Sequence, residues 1–156
     1  MSKPEVELIR KSFIIRKMDL PPGVKLTKKS LLRWFALAFG MVSEKDSRDT
    51  ALNILDSLFY FLFSKKSNPS TVEIQNHLKD KHKMSISEKL LRYHLNKLIL
   101  WGFIIRKKNL YFLNPSPHAD RLDLKESFSF WVRRDVVSSM DEIEEVLLLL
   151  NKSYLK

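Results

Sequence analysis

The chain has 156 residues, of which 44% are hydrophobic and 11% aromatic, and its formal net charge is +10. This length and apolar content are typical of one folded domain with appended segments, not of a disordered protein. The chain has no cysteine and three glycines, which excludes disulfides and thiolate metal sites and argues against glycine-rich phosphate loops. No segment resembles a signal peptide or is apolar over a bilayer-spanning length, so we expect a cytoplasmic protein.

The first fifty residues are expected to form an arm and one helix. Residues 4–18 fit either a helix or a strand, and the Leu-Pro-Pro-Gly sequence at 20–23 ends that element. Residues 26–42 carry an apolar stripe at helical spacing, with Gly40 near the end of the helix. Residues 43–49 are expected to form a polar linker. Its candidate helix caps are Asp46, Ser47 and Asp49.

Two further helices are predicted next. Residues 50–64 are apolar on nearly all sides, and a helix of this kind belongs at the centre of a core. Residues 70–82 begin with Ser70 and Glu73, which have the spacing of a capping box. We therefore expect a buried helix followed by a capped, half-exposed one.

Residues 85–113 are predicted to form a helix followed by a basic hairpin. Leucines 91, 95 and 98 recur on one helical face, and Ser85 with Glu88 has the spacing of a capping box. Gly102 follows the last turn of the apolar pattern, where a residue with a left-handed backbone conformation is usual. The sequence then reads as a strand at 103–105, a polar turn at 106–109 and a second strand at 110–113.

The remaining residues are predicted to be helical. Apolar residues in 122–137 show both the alternating spacing of a strand and the spacing of a helix. We prefer the helical interpretation. A separate helix is expected over 139–155, capped by Ser139 and Glu142. Its leucine-rich face suits either a homodimer contact through this C-terminal helix or packing on residues 31–39 of the same chain.

The positive charge is concentrated around the predicted hairpin. Residues 65–121 contain 12 basic and 4 acidic side chains, whereas residues 122–156 contain 5 basic and 7 acidic ones. Such a basic region favours a polyanionic partner. Nucleic acid is therefore a candidate partner, alongside the interpretation of a solvated lysine-rich surface.

Residues 91–104 resemble the third helix and first wing strand of winged helix-turn-helix domains of bacterial and archaeal transcription regulators. The shared features are His94-Leu95, Lys97-Leu98, Gly102 and Phe103-Ile104. The resemblance covers residues 50–114. It implies a mainly α fold with a small β-hairpin wing, extended here by extra N- and C-terminal helices.

This resemblance divides the chain into an N-terminal arm and helix (1–49), a winged helix-turn-helix domain (50–115) and a C-terminal helical extension (116–156). Where most family members have two charged residues after the Lys-Leu pair, this chain has Ile99 and Leu100. We therefore expect the flanking helices to cover both side chains.

The resemblance implies a double-stranded DNA-binding transcription regulator, nucleoid-associated in the cell. Helix 85–101 would read the major groove, and the wing at 105–110 would follow the backbone. With leucines 91, 95 and 98 turned inward, Arg92 is the candidate for guanine and Asn96 for adenine. The predicted nucleic-acid-binding residues are Ser70, Ser87, Lys89, Arg92, Tyr93, Asn96, Arg106, Lys107 and Lys108.

Two other functions remain open from the sequence. The same fold serves as a protein-docking subunit of larger complexes, and the same basic surface would suit RNA. The four histidines have no recognised metal spacing, and no nucleophile–base pair or nucleotide-binding motif is present. We therefore expect no enzyme activity, no metal and no cofactor.

Overall fold

The computed structural model describes residues 4–42 and 49–156 of the chain. The fold is mainly helical, with one two-stranded antiparallel sheet. The helices are α1 (Lys28–Ala38), α2 (Thr50–Phe59), α3 (Thr71–His82), α4 (Glu88–Trp101), α5 (Leu124–Phe128) and α6 (Arg134–Tyr154), and the strands are β1 (Ile104–Lys107) and β2 (Leu110–Leu113). Short 3₁₀ segments occupy Pro4–Leu8 and Pro22–Leu26, and π-helical turns at Tyr60–Ser64 and Ser129–Arg133 follow α2 and α5.

Helix α2 lies at the centre of the core, which confirms the prediction for residues 50–64. Seven of its ten residues are buried, and Ile54, Leu55 and Leu58 have no exposed surface. The same core cluster includes Phe39 from the end of α1 and Val132 from the turn before α6. Residues on both sides of 50–115 are thus packed into the same core.

The N-terminal arm is held against the end of α1. Residues 9–20 are neither helix nor strand, so neither interpretation of this segment is correct beyond the short 3₁₀ turn. The Arg16 backbone N–H donates to the Ala38 carbonyl at 2.8 Å, and its guanidinium donates to the carbonyls of Leu37 and Val42. Gly40 has a φ of 70° and follows α1, as predicted.

Of the predicted linker at 43–49, the structure describes only the last residue, Asp49. Asp46 and Ser47 lie outside the described residues. Asp49 occupies the N-cap of α2, but its side chain makes no capping hydrogen bond. Its carboxylate instead accepts a hydrogen bond from Arg33 at 3.2 Å.

The predicted capping box of Ser85 and Glu88 is wrong, because α4 begins at Glu88, two residues later than that box requires. Ser87 is the N-cap and accepts from the Leu90 N–H at 3.1 Å. The amide of Gln75 on α3 donates to the Ile86 carbonyl at 2.9 Å, which holds the preceding residues out of the helix. The capping box predicted for Ser70 and Glu73 is confirmed, since these residues exchange both bonds at the start of α3.

The predicted helix start at Ser139 is also wrong. Helix α5, the π-helical turn and α6 follow one another without a break from Leu124 to Tyr154. The Ser139 hydroxyl donates to the Asp135 carbonyl one turn earlier, so it lies inside the helix. The helical interpretation of residues 122–137 is confirmed from Leu124 onward.

The flanking helices leave two apolar regions exposed. Helix α6 has no buried residue, so its leucines do not pack on residues 31–39 of the same chain. Ile99 packs partly against the core, whereas Leu100 remains 57% exposed. The expectation that both Ile99 and Leu100 are covered is therefore wrong for Leu100.

The hairpin forms where it was predicted, but its turn is shorter, because Arg106 and Lys107, predicted in the turn, belong to β1. Strands β1 and β2 pair antiparallel, with Ile104 opposite Leu113 and Lys107 opposite Leu110. Lys108 and Asn109 make the two-residue turn, and both have positive φ angles. That geometry matches the right-handed twist of a tight hairpin. Gly102 ends α4 with a φ of 104°, also as predicted.

Candidate nucleic-acid interface

Helix α4 buries one face and exposes the other. Leu91, Leu95 and Leu98 are completely buried, as their spacing predicted. The opposite side carries Lys89, Tyr93 and Asn96, which are exposed, and Arg92, which is half-buried, while the exposed Ser87 directly precedes the helix. The structure thus brings these five predicted residues together along one helix, with the Ser87 hydroxyl engaged as the N-cap.

Arg92 is paired with an acidic neighbour one turn earlier. Its Nη2 lies 2.6 Å from Glu88 Oε1. Its Nε is buried and has no hydrogen-bond partner among the described residues. The guanidinium is therefore held by one carboxylate and keeps unused donor capacity.

The exposed face contains one cation that the sequence analysis missed. Lys97 Nζ lies 4.8 Å from the centre of the Tyr93 ring, which is a cation–π contact. Tyr93 itself remains 57% exposed. The two residues are four positions apart, so the i, i+4 spacing of a helix was the available signal.

The hairpin holds its three basic residues differently. The Arg106 guanidinium donates to Asn109 Oδ1 at 3.1 Å and lies over the Tyr111 ring. Lys107 and Lys108 are exposed at the tip. Arg106 thus stabilises the turn, whereas the two lysines extend into solvent.

The start of α3 is bonded directly to the hairpin. Ser70 pairs with Leu110 in an isolated antiparallel bridge, and the Tyr111 N–H donates to the Pro69 carbonyl at 2.9 Å. The buried Tyr111 hydroxyl lies 3.4 Å from Thr71 Oγ1. The predicted residue Ser70 is therefore brought next to the hairpin strand.

The capping box changes what the α3 N-terminus offers to a phosphate. The Ser70 hydroxyl accepts from the Glu73 N–H, and the Glu73 carboxylate accepts from the Ser70 N–H. These bonds occupy two donors that a phosphate would use, and they add a negative charge. Of the predicted contacts, Ser70 is the least suited to an anion.

A polar cluster that the sequence analysis did not predict fixes α3 on α2. Asp56 is buried, and its Oδ2 accepts from Lys81 Nζ and His82 Nε2, both at 2.8 Å. Burial alone would raise the pKa of the Asp56 carboxyl, but the hydrogen bonds and charges of Lys81 and His82 lower it below 3.8. The signal was available, because Asp56 is the single charged residue in 50–64.

His77 lies beside this cluster. Its Nδ1 is 2.7 Å from the Ser57 hydroxyl, and its ring stacks on Tyr60. Burial, followed by the positive charge of Lys81, lowers the pKa of His77 below 6.5. The neutral imidazole is thus the favoured form of His77 where it packs against α2. Together with the cluster of Asp56, Lys81 and His82, it packs α3 on α2.

No protein-family model, no curated protein and no solved structure matches this chain. Within residues 4–42 and 49–156, no helix combines the length and apolarity needed to cross a bilayer. The surface formed by α4 and the hairpin is therefore the basis on which a function is inferred.

Proposed function

We propose that this protein is a double-stranded DNA-binding transcription regulator of the winged helix-turn-helix type. Helix α4 reads the major groove, and the hairpin tip follows the phosphate backbone. The observation that carries the proposal is the bridge between Ser70 and Leu110. It joins the start of α3 to a hairpin that follows directly on α4, and that hairpin exposes Lys107 and Lys108 at its tip.

The chemistry of the exposed face supports a DNA ligand. Lys89 and Asn96 on α4 are exposed, and Arg92 is half-buried and paired with Glu88. Arginine matches the acceptors of guanine, and asparagine those of adenine. Lysines at the hairpin tip neutralise phosphates without reading sequence.

A fluorescence anisotropy titration tests the proposal. The intact protein is titrated into a labelled mixed-sequence DNA duplex of about 30 base pairs at two salt concentrations. We expect the affinity to fall steeply with salt, because each neutralised phosphate contributes about −0.9 to the slope of log K against log salt. Failure to bind at low salt, or binding without salt dependence, would refute a DNA function and favour protein docking.

Competition separates DNA from RNA. An unlabelled duplex RNA of the same sequence is added to the DNA complex. The deep, narrow major groove of RNA does not admit a helix, so we expect RNA to compete poorly. Equal or stronger competition by RNA would contradict the DNA proposal.

A further inference from the structure

A small cavity lies where the first turn of α1 meets α2 and the last turn of α3. Its volume is about 230 Å³. Two leucines, Leu32 and Leu52, contribute apolar surface to it. The remaining lining is polar or charged and consists of Lys28, Lys29, Asn53, Asp56, Lys81 and His82. None of these lining residues belongs to α4 or to the hairpin, so the cavity is separate from the proposed DNA interface.

Positive charge exceeds negative charge in this cavity. Three lysines line it, against one carboxylate, that of Asp56. Asp56 Oδ2 already accepts from both Lys81 and His82 at 2.8 Å. Among the ion pairs between described residues, none includes Lys28 or Lys29. The described chain therefore provides no counter-charge for these two ammonium groups.

Lys28 and Lys29 also occupy an unfavourable position in α1. They are its first two residues, and the first turn of this helix has no acidic side chain. The helix dipole places partial positive charge at this end, so cations here are destabilising. A concave surface with excess charge of one sign attracts counter-ions, because its low-dielectric walls focus the field. A bound anion would offset a repulsion that the free protein retains.

We propose that this cavity binds a small phosphate ester. Lysine ammonium groups bind phosphate as point charges, and α1 and α3 together supply three of them to this cavity. Lys81 uses one of its three N–H donors on Asp56 and keeps two. The volume is below the roughly 300–1,000 Å³ of pockets that hold drug-sized ligands, so the ligand is small. Leu32 and Leu52 offer contacts to the carbon atoms of the ester.

Isothermal titration calorimetry with glycerol 3-phosphate tests this proposal on the intact protein. The titration contains no nucleic acid, so its result is independent of the proposed DNA function. We expect saturable binding of glycerol 3-phosphate and no binding of uncharged glycerol. Succinate should bind more weakly, because its two charges lie on separate carboxylates. No binding of glycerol 3-phosphate at millimolar concentration, or equal binding of succinate, would overturn the proposal.

The double variant Lys28→Gln and Lys29→Gln should lose affinity for glycerol 3-phosphate by about tenfold, because each lost ammonium group removes a Coulomb attraction close to the phosphate. Lys17→Gln with Lys125→Gln is the matched control, since it removes the same charge outside the cavity. All four lysines are exposed, so both variants should fold, which thermal unfolding without ligand checks. Equal losses of affinity in the two variants would mean that net charge attracts the phosphate and would overturn the proposal.

The ring signals of the histidines locate the ligand. His82 lines the cavity, whereas His118 is exposed and does not line it. In proton–carbon NMR spectra, glycerol 3-phosphate should move the His82 signals and leave those of His118 in place. The His118→Gln variant identifies the His118 signals. Unmoved His82 signals at saturation, or equal movement of both histidines, would contradict binding in this cavity.

Discussion

Glu88 Oε1 lies 2.6 Å from Arg92 Nη2 on the exposed face of α4. The pair places a carboxylate beside the arginine that we propose to contact guanine. Both side chains are about half exposed, so their contribution to the free energy of unfolding is at most about 0.5 kcal/mol. The larger effect of Glu88 is on the charge that the helix would present to the proposed DNA ligand.

Glu88→Gln should therefore strengthen DNA binding. The substitution removes one charge that repels phosphate and releases the Arg92 guanidinium. We expect the dissociation constant to fall by about two- to fivefold at low salt, or roughly 0.4–1 kcal/mol. Fluorescence anisotropy titration measures this dissociation constant. Glu126→Gln in α5 removes the same charge from another helix and should leave the affinity nearly unchanged, and a weaker Glu88→Gln complex would contradict this role.

Removing both charges at the hairpin tip should reduce the salt dependence of binding. The double variant carries Lys107→Ala and Lys108→Asn, because asparagine tolerates the φ of 50° at position 108. If each lysine neutralises one phosphate, the slope of log K against log salt falls by about 2. Titrations at several salt concentrations measure the slope.

The matched control for the hairpin variant is the double substitution Lys25→Ala and Lys125→Ala. It lowers the net charge equally, and both lysines are exposed outside α4 and the hairpin. We expect a smaller change in slope for this control. Equal changes in the two double variants would mean that net charge, and not the hairpin, governs binding.

His77 should make the protein less stable as the pH falls below 6.5. The pKa of His77 is lower in the folded state than its ordinary value of 6.5 in the unfolded chain. At pH values between the folded-state pKa and 6.5, the unfolded chain therefore binds more protons than the folded protein. The free energy of unfolding therefore decreases with falling pH, by at most about 1.4 kcal/mol per pH unit. Urea unfolding at pH values from 7 to 5 measures this slope.

His77→Phe should flatten that part of the pH profile. The variant keeps a ring to stack on Tyr60 but leaves the buried Ser57 hydroxyl without its imidazole partner, which costs about 1–3 kcal/mol at pH 7. The test is the change in the slope of unfolding free energy against pH, and not the loss of stability at pH 7. His118→Gln replaces an exposed histidine and should keep the wild-type slope. An unchanged slope in His77→Phe would assign the pH dependence to other groups.

Gly40→Ala should destabilise the protein by about 1–3 kcal/mol. Gly40 has a φ of 70°, and a Cβ at this position would lie 2.6 Å from the Ile14 Cβ of the N-terminal arm. Gly23→Ala is the control, because no atom lies within 4 Å of a Cβ there. Thermal unfolding should show a lower midpoint for Gly40→Ala alone. Equal midpoints would mean that the arm does not pack against this residue.

Local sequence patterns predicted most elements of the fold. The spacing of Leu91, Leu95 and Leu98 identified the buried face of α4, and Gly102 identified its end. The polar residues at 106–109 identified the position of the hairpin, although Arg106 and Lys107 proved to be in β1 and the turn is Lys108-Asn109. Each of these signals acts within a few residues, because helix periodicity and turn geometry are properties of neighbouring backbone positions.

The two incorrect helix starts show where local patterns are insufficient. Ser85 and Ser87 both precede a helix, and the bond from Gln75 to Ile86 on another segment selects Ser87. Ser139 has the spacing of a capping box, yet the helix that begins at Leu124 continues through it. A capping pattern indicates only that a helix can start at that residue. Whether a helix starts there depends on the conformation of the preceding backbone.

By itself, then, the sequence determined where the main helices and the hairpin lie, which helical faces are apolar and where positive charge accumulates. Only the tertiary structure decided that Ser70 pairs with Leu110, that Asp56 binds Lys81 and His82, and that α6 has no buried residue. The physical reason is distance along the chain. These relationships join residues far apart in sequence or depend on what the rest of the chain leaves uncovered, and no local pattern records them.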